Sequence, residues 1–150
     1  MPGRAQHYVM RDRFIQSYFD RVYTPAYDVT TARFAGYRGL LERSLSRLTS
    51  GEAERILCVG VGTGNEVEHL LREDAQASIV GVDLSQNALK TARRRASQMG
   101  REIETLVMDA RSLIFPDASF DKVVCMHVMD FVDRPELATQ EIFRVLREGG

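Results

Sequence analysis

From Arg55 onward the chain alternates short apolar runs with helical periodicities, and that alternation constrains the fold more than any other feature of the sequence. "RILCVG" is an apolar run that ends in a glycine-rich loop. "NEVEHLLRE" follows, with Val67, Leu70 and Leu71 at helical spacing. "ASIVGVDLS" reads as a second buried strand ending at Asp83. Ser85 is then a suitable N-cap for "QNALKTARRRASQMG", whose apolar face is Ala88, Leu89, Ala92, Ala96 and Met99, with Gly100 at its C-terminus. "IETLVMDA" is a third strand ending at Asp109, "FPDAS" a turn and "FDKVVCMHV" a fourth strand. Asp133, Pro135 and Glu136 give a capping-box start to a last helix that runs to about Arg147, with Leu137, Ala138, Ile142, Val145 and Leu146 inward. Such alternation predicts an α/β, Rossmann-like parallel sheet with helices on both faces. The strand C-termini then share one edge, where ligands bind in sheets of this kind.

The chain before Arg55 reads as helical. Residues 8–22 set Phe14, Ile15, Tyr18, Phe19 and Val22 on one face, and residues 37–48 do the same with Tyr37, Leu40, Leu41, Leu45 and Leu48. This half is basic: residues 1–50 hold eight Arg against three Asp and one Glu, a net +4 within a chain of net charge −1. Such a segment suits an anionic surface or ligand, or simply solvated helix faces. Its aromatic stripe suits core or lid packing, with a membrane-touching face as the alternative. No basic-aromatic pattern points to nucleic acid. The 150 residues suggest one domain, with no apolar run of about 18 residues and a start too polar for a secretory signal, so a cytoplasmic protein is expected. Cys58 and Cys125 lie far apart in apolar runs, which favours small buried hydrophobes over a metal site or a disulfide.

Three features converge on the predicted ligand edge: the loop 60–64, Asp83 and Asp109. Glycines let a ligand approach the backbone. An acid about 20 residues after such a loop can accept bonds from ribose hydroxyls, and a second acid one strand further on can reach a base. The spacing argues against a dinucleotide, because Gly60, Gly62 and Gly64 are followed by Asn65, which stands where G-x-G-x-x-G needs its third glycine. Glu66, at the start of the next helix, is poorly placed against a pyrophosphate. A ligand with a cationic, amino-acid-like part fits better, and S-adenosylmethionine is such a ligand.

"LCVGVGTGNE", "VGVDLS" and "VMDARSLIFPDASFDKVVCMHVMDFVDRPELATQEIFRVLREGG" together resemble the class I S-adenosylmethionine-dependent methyltransferases over about residues 55–150. Within that class "VGVGTG", "FPDASFD", "RVLREGG" and "YFDRVYTPAYD" are similar to bacterial phosphatidylethanolamine N-methyltransferases and ubiquinone/menaquinone methyltransferases. The resemblance implies residues 1–50 as a helical lid or cap and 51–150 as a cofactor-binding core, holding the first four strands of a seven-stranded sheet. It implies a chain truncated at its C-terminus. By position it implies that Gly60, Gly62 and Gly64 line the methionine part of the cofactor, that Asp83 holds the ribose hydroxyls with Leu84 beside the adenine, and that Asp109 and the Ala110 amide face the adenine edge. Met126 and His127 would end the fourth strand where cofactor and acceptor meet, and Tyr18 and Tyr27 would come from the covering segment. His127 is the candidate general base, against the ordinary role of a hydrogen-bonded strand-end histidine. Cys58 stands where the class usually has an acid that helps the cofactor's ammonium end, so Cys58→Asp is expected to tighten binding. The implied activity is methyl transfer to a small-molecule, lipid-like or quinone-like acceptor. The alternative is a non-catalytic cofactor-binding half or interaction module completed by another chain.

Overall fold

The computed structural model describes residues 17–18, 35–46, 48 and 54–150. Its elements are α1 (Ala35–Leu45), β1 (Arg55–Val59), α2 (Asn65–Glu73), β2 (Ser78–Asp83), α3 (Gln86–Gln98), β3 (Glu104–Val107), β4 (Lys122–Cys125) and α4 (Pro135–Val145). Among the described residues no helix is long and apolar enough to cross a membrane.

The four strands pair parallel in the order β3-β2-β1-β4. The chain steps from β1 outward through β2 to β3, then returns to β4 on the other side of β1. That reversal, between β1 and β4, is the switch point of the sheet. Side chains alternate across β1, as the two-residue strand period requires. Ile56 and Cys58 enter the core under α1, α2 and α3, whereas Leu57 and Val59 enter the core under α4. All four are essentially excluded from solvent. Burying Ile56, Leu57 and Val59 stabilises the fold by about 1.5–3 kcal/mol each.

The helices follow their apolar stripes. α2 buries Val67, Leu70 and Leu71, and α3 buries Ala88, Leu89, Ala92 and Ala96. The small α3 residues let that helix lie close to the glycine loop. Ser85 caps α3, its hydroxyl accepting from the Ala88 amide at 3.0 Å. At the other end Gly100 turns left-handed at φ 71°, while the Gly100 and Arg101 amides donate to the Ser97 and Ala96 carbonyls. This double closure satisfies two carbonyls that the helix leaves open.

Several sequence expectations need correction. β3 stops at Val107, two residues before Asp109, because the Asp109 carboxylate accepts from the Arg111 amide at 2.8 Å and draws the chain into a turn. β4 stops at Cys125, since His127 takes a left-handed φ of 57°, which no strand continues. α4 has no capping box: its N-cap is Arg134, left-handed at φ 62° and without a side-chain cap bond. α4 also ends at Val145, short of Arg147. Leu40, expected inward, is 47% exposed, while Leu41 and Leu45 are buried. The expected helix over 8–22 and the lid assigned to residues 1–50 lie largely outside the described residues.

The segment before β4 closes the core. Phe120 is fully buried, meets Phe115 edge-on at 4.9 Å and lies under the Arg55 guanidinium at 4.6 Å. Asp121 accepts from the Arg55 amide at 2.8 Å, which fixes the start of β4 beside β1. Arg144 of α4 reaches the Leu113 and Phe115 carbonyls at 2.9 and 2.8 Å and pairs with Asp117 at 2.7 Å. Phe120 and Asp121 thus serve the fold, one as a buried ring and the other at the turn into β4.

Candidate functional site

A pocket opens at the C-terminal ends of the strands, across the switch point. Its floor is the loop after β1. Gly60 and Val61 both donate to the Val82 carbonyl, at 2.8 and 3.1 Å, so the loop is tied to the end of β2. The glycines of this loop have different surroundings. Gly60, at φ 66°, faces Val128: a Cβ there would sit 2.1 Å from Val128 Cγ2. Gly62, at φ 52°, lines the pocket, and a Cβ there would meet only the Gly60 carbonyl oxygen, at 3.9 Å. Gly64, at φ 85°, packs against α3, with a Cβ brought to 3.0 Å from Ala92 Cα. Gly64 is not among the pocket-lining residues.

Asp83 stands beside this floor. One carboxylate oxygen accepts from the Gly62 amide at 2.9 Å and the other from the Ser85 amide at 2.8 Å. These bonds fix the Asp83 carboxylate between the glycine loop and the start of α3. Leu84 lines the pocket next to it.

Asp109 and Ala110 line the far wall. Arg111 folds back on Asp109, with Nε at 3.0 Å from both carboxylate oxygens and a further guanidinium nitrogen at 2.6 Å from one. Burial pushes the Asp109 carboxyl up, but the bonds and charge of Arg111 outweigh burial and hold it below the ordinary value. The same guanidinium donates to the Asp133 carbonyl at 3.3 Å, joining the loops that follow β3 and β4. The sequence gives no periodic signal for a guanidinium that reaches two residues back.

Met126, His127, Val128, Phe131 and Val132 form the wall beyond β4. Tyr18 is 44% exposed and is not among the lining residues. Tyr27 lies outside the described residues.

Glu66 is a pocket carboxylate that the sequence did not mark as a site. It occupies the first turn of α2, lines the pocket, and is only 7% exposed. Burial pushes its carboxyl from 4.5 up to about 7; its own backbone amide opposes this, Asp83 adds to it and Arg95 reduces it. A signal was present: Glu66 precedes Leu70 by one turn and shares its inward stripe. Burial also pushes both thiols up, with the Glu66 charge adding to it, Cys58 strongly and Cys125 to about 11. Neither is a thiolate at neutral pH, so neither is an activated nucleophile. Among the described residues no group of His, Cys, Asp and Glu is arranged to hold a metal ion.

A parallel sheet with a glycine loop and carboxylates at successive strand ends is the arrangement of a nucleoside-binding α/β domain. A family model described as a methyltransferase domain matches residues 57–150, and the chain belongs to this family, the class I S-adenosylmethionine-dependent methyltransferases. The chain is 42% identical over 98 residues to a phosphatidylethanolamine N-methyltransferase of Cereibacter sphaeroides, covering 64% of this chain and 47% of that protein. It is 39% identical over 98 residues to a demethylmenaquinone methyltransferase of Thermus thermophilus, covering 65% of this chain and 44% of that protein. A solved SAM-dependent methyltransferase of Thermotoga maritima superposes with a TM-score of 0.67 at 26% identity, over 89% of this chain and 57% of the other. The chain thus spans less than half the length of either sequence relative.

Proposed function

We propose that this chain binds S-adenosylmethionine in the switch-point pocket and transfers its methyl group to a lipid-like or quinone-like acceptor. The observation that carries the reading is the convergence of Gly62, Asp83, Asp109, Ala110 and the buried Glu66 on one pocket at the strand ends. The residues suit the cofactor. The open space at Gly62 admits an approaching ligand, and a buried carboxylate faces the same space. When bound, the cofactor supplies a methyl group on a positively charged sulfur, the chemistry of the step.

The chain's own residues bind, orient and exclude water. Asp83, a pocket carboxylate at the end of β2, suits the two ribose hydroxyls, and Leu84 suits a contact with the base. Asp109 and the Ala110 amide suit the adenine edge. The glycine floor suits the methionine end, which directs the methyl toward Met126 and His127. The apolar wall of Val128, Phe131 and Val132 excludes water from that end. His127 is the candidate to take a proton from a hydroxyl or carbon acceptor, whereas an amine need only arrive neutral.

Both sequence relatives are methyltransferases by name, which favours an enzyme over a binding-only module. Their names, with that of a fatty-acid O-methyltransferase also related at 35% identity, support a lipid-like or quinone-like acceptor. The net +4 of residues 1–50 supports a cytoplasmic protein that touches an anionic membrane surface where such acceptors reside. Calorimetry with S-adenosylmethionine is the first test, and saturable binding is the expected result. Absence of binding by the folded chain sinks the reading. Transfer of labelled methyl to phosphatidylethanolamine or to demethylmenaquinone then selects between the two acceptor types.

A further inference from the structure

The cofactor assigned above carries two positive charges, a sulfonium and an α-ammonium. Burying a cation requires a partner of opposite charge. Among the described residues three carboxylates line the pocket: Glu66, Asp83 and Asp109. Asp109 is engaged by the Arg111 guanidinium. Asp83 holds the loop through the Gly62 and Ser85 amides. Glu66 is the most buried of the three and sits at the glycine floor, where the methionine end belongs. The β1 position beneath it is Cys58, a fully buried neutral thiol close enough to feel the Glu66 charge.

We propose that Glu66 is the carboxylate that receives the ammonium end of S-adenosylmethionine, a task that Cys58 cannot perform. The acid then stands in the first turn of the following helix, eight residues beyond Cys58. The inference rests on the cofactor assignment. It explains why an ionisable side chain occupies the inward stripe of α2, where an apolar residue would pack without cost. The groups that face Glu66 are Asp83 at the end of β2, Arg95 on α3, and the thiols of Cys58 on β1 and Cys125 on β4. Of these only Arg95 is cationic, and it also donates to the Asn65 side chain.

The test is calorimetry on the whole chain and on Glu66→Gln, with three probes. S-adenosylmethionine carries both charges, S-adenosylhomocysteine only the ammonium, and methylthioadenosine neither. Glu66→Gln is expected to weaken the first two by about tenfold or more, the usual effect of losing a charge-assisted bond. Methylthioadenosine affinity is expected to stay within about twofold. Equal loss on all three probes, or unchanged S-adenosylhomocysteine affinity, overturns the proposal. A second readout separates an ammonium partner from a residue that only shapes the pocket. Burial raises the Glu66 carboxyl, so a cation that it receives near neutral pH expels protons, seen as a buffer-dependent binding heat that Glu66→Gln abolishes. A buffer-dependent heat that persists in Glu66→Gln also overturns it. If the wild-type chain binds none of the probes, the cofactor assignment itself falls, whereas failure of Glu66 alone leaves wild-type binding intact. The double variant Cys58→Asp/Glu66→Gln is expected to recover affinity relative to Glu66→Gln. Cys58→Asp alone, which the resemblance implied would tighten binding, is on this proposal expected not to, because with Glu66 present it sets two carboxylates side by side.

Discussion

Glu66 gives the fold a measurable cost at the scale of a single residue. Its folded carboxyl titrates near 7 against 4.5 when unhindered, so the folded state holds a proton that the unfolded chain releases. Below pH 4.5 both states are protonated and the residue costs nothing. Stability falls as pH rises from 4.5 to 7 and is flat above, by about 3 kcal/mol in all. Glu66→Gln is expected to remove that slope and to raise the unfolding free energy at pH 8, as urea titrations at pH 5 and pH 8 would show. A variant as pH-sensitive as the wild type would contradict the burial argument. The candidate site was only partly legible at this scale. Asp83 ends β2 and Asp109 follows β3 by two residues, each where an apolar run gives out, and a run is visible in the sequence. Glu66 was visible only as a helix-start charge, since its burial depends on β1 and α3 arriving from elsewhere. Arg111 escaped notice because its grip on Asp109 is a side-chain conformation, not a spacing.

Among the elements, α3 follows its sequence signals most closely. Its cap, apolar face and glycine stop agree with the expectations, because each is set by residues within a few positions of one another. Ser85→Ala removes the oxygen that accepts from the Ala88 amide and is expected to lower stability by about 1 kcal/mol, measured by denaturant unfolding. An unchanged midpoint would mean that water replaces the cap. α4 behaves differently. Its signals, Asp133 and Pro135, suggested a capping box, yet the chain enters through a left-handed Arg134. The competing interaction is tertiary: Arg111 holds the Asp133 carbonyl at 3.3 Å. The ends of β3 and β4 were overestimated for a related reason, since apolar residues continue into loops that fold back over the core. Met108 and Ala110 are buried although neither belongs to a strand.

For the molecule as a whole, the class of fold was legible and the lateral order of its strands was not. Periodicity reports which residues are strand or helix, but the order β3-β2-β1-β4 depends on which side each crossover takes. The charge asymmetry bears on the same scale. Residues 1–50 carry +4, leaving −5 for the remainder. Co-sedimentation with vesicles rich in phosphatidylglycerol is expected and should fall steeply with added salt, whereas vesicles of phosphatidylcholine alone should leave the protein in the supernatant. Binding insensitive to lipid charge would remove the electrostatic part of the membrane proposal. The three loop glycines carry a consequence for genetics. They form one motif on paper, but their obstacles lie in three parts of the molecule. A side chain at Gly60 collides with Val128 beyond β4, one at Gly64 with Ala92 of α3, and one at Gly62 with little besides its own backbone angle. Second-site rescue should therefore differ: Val128→Ala eases a lesion at Gly60, no trimming of Ala92 frees Gly64 because the obstacle includes the α3 backbone itself, and Gly62 is rescued chiefly in place by asparagine, which tolerates a left-handed backbone.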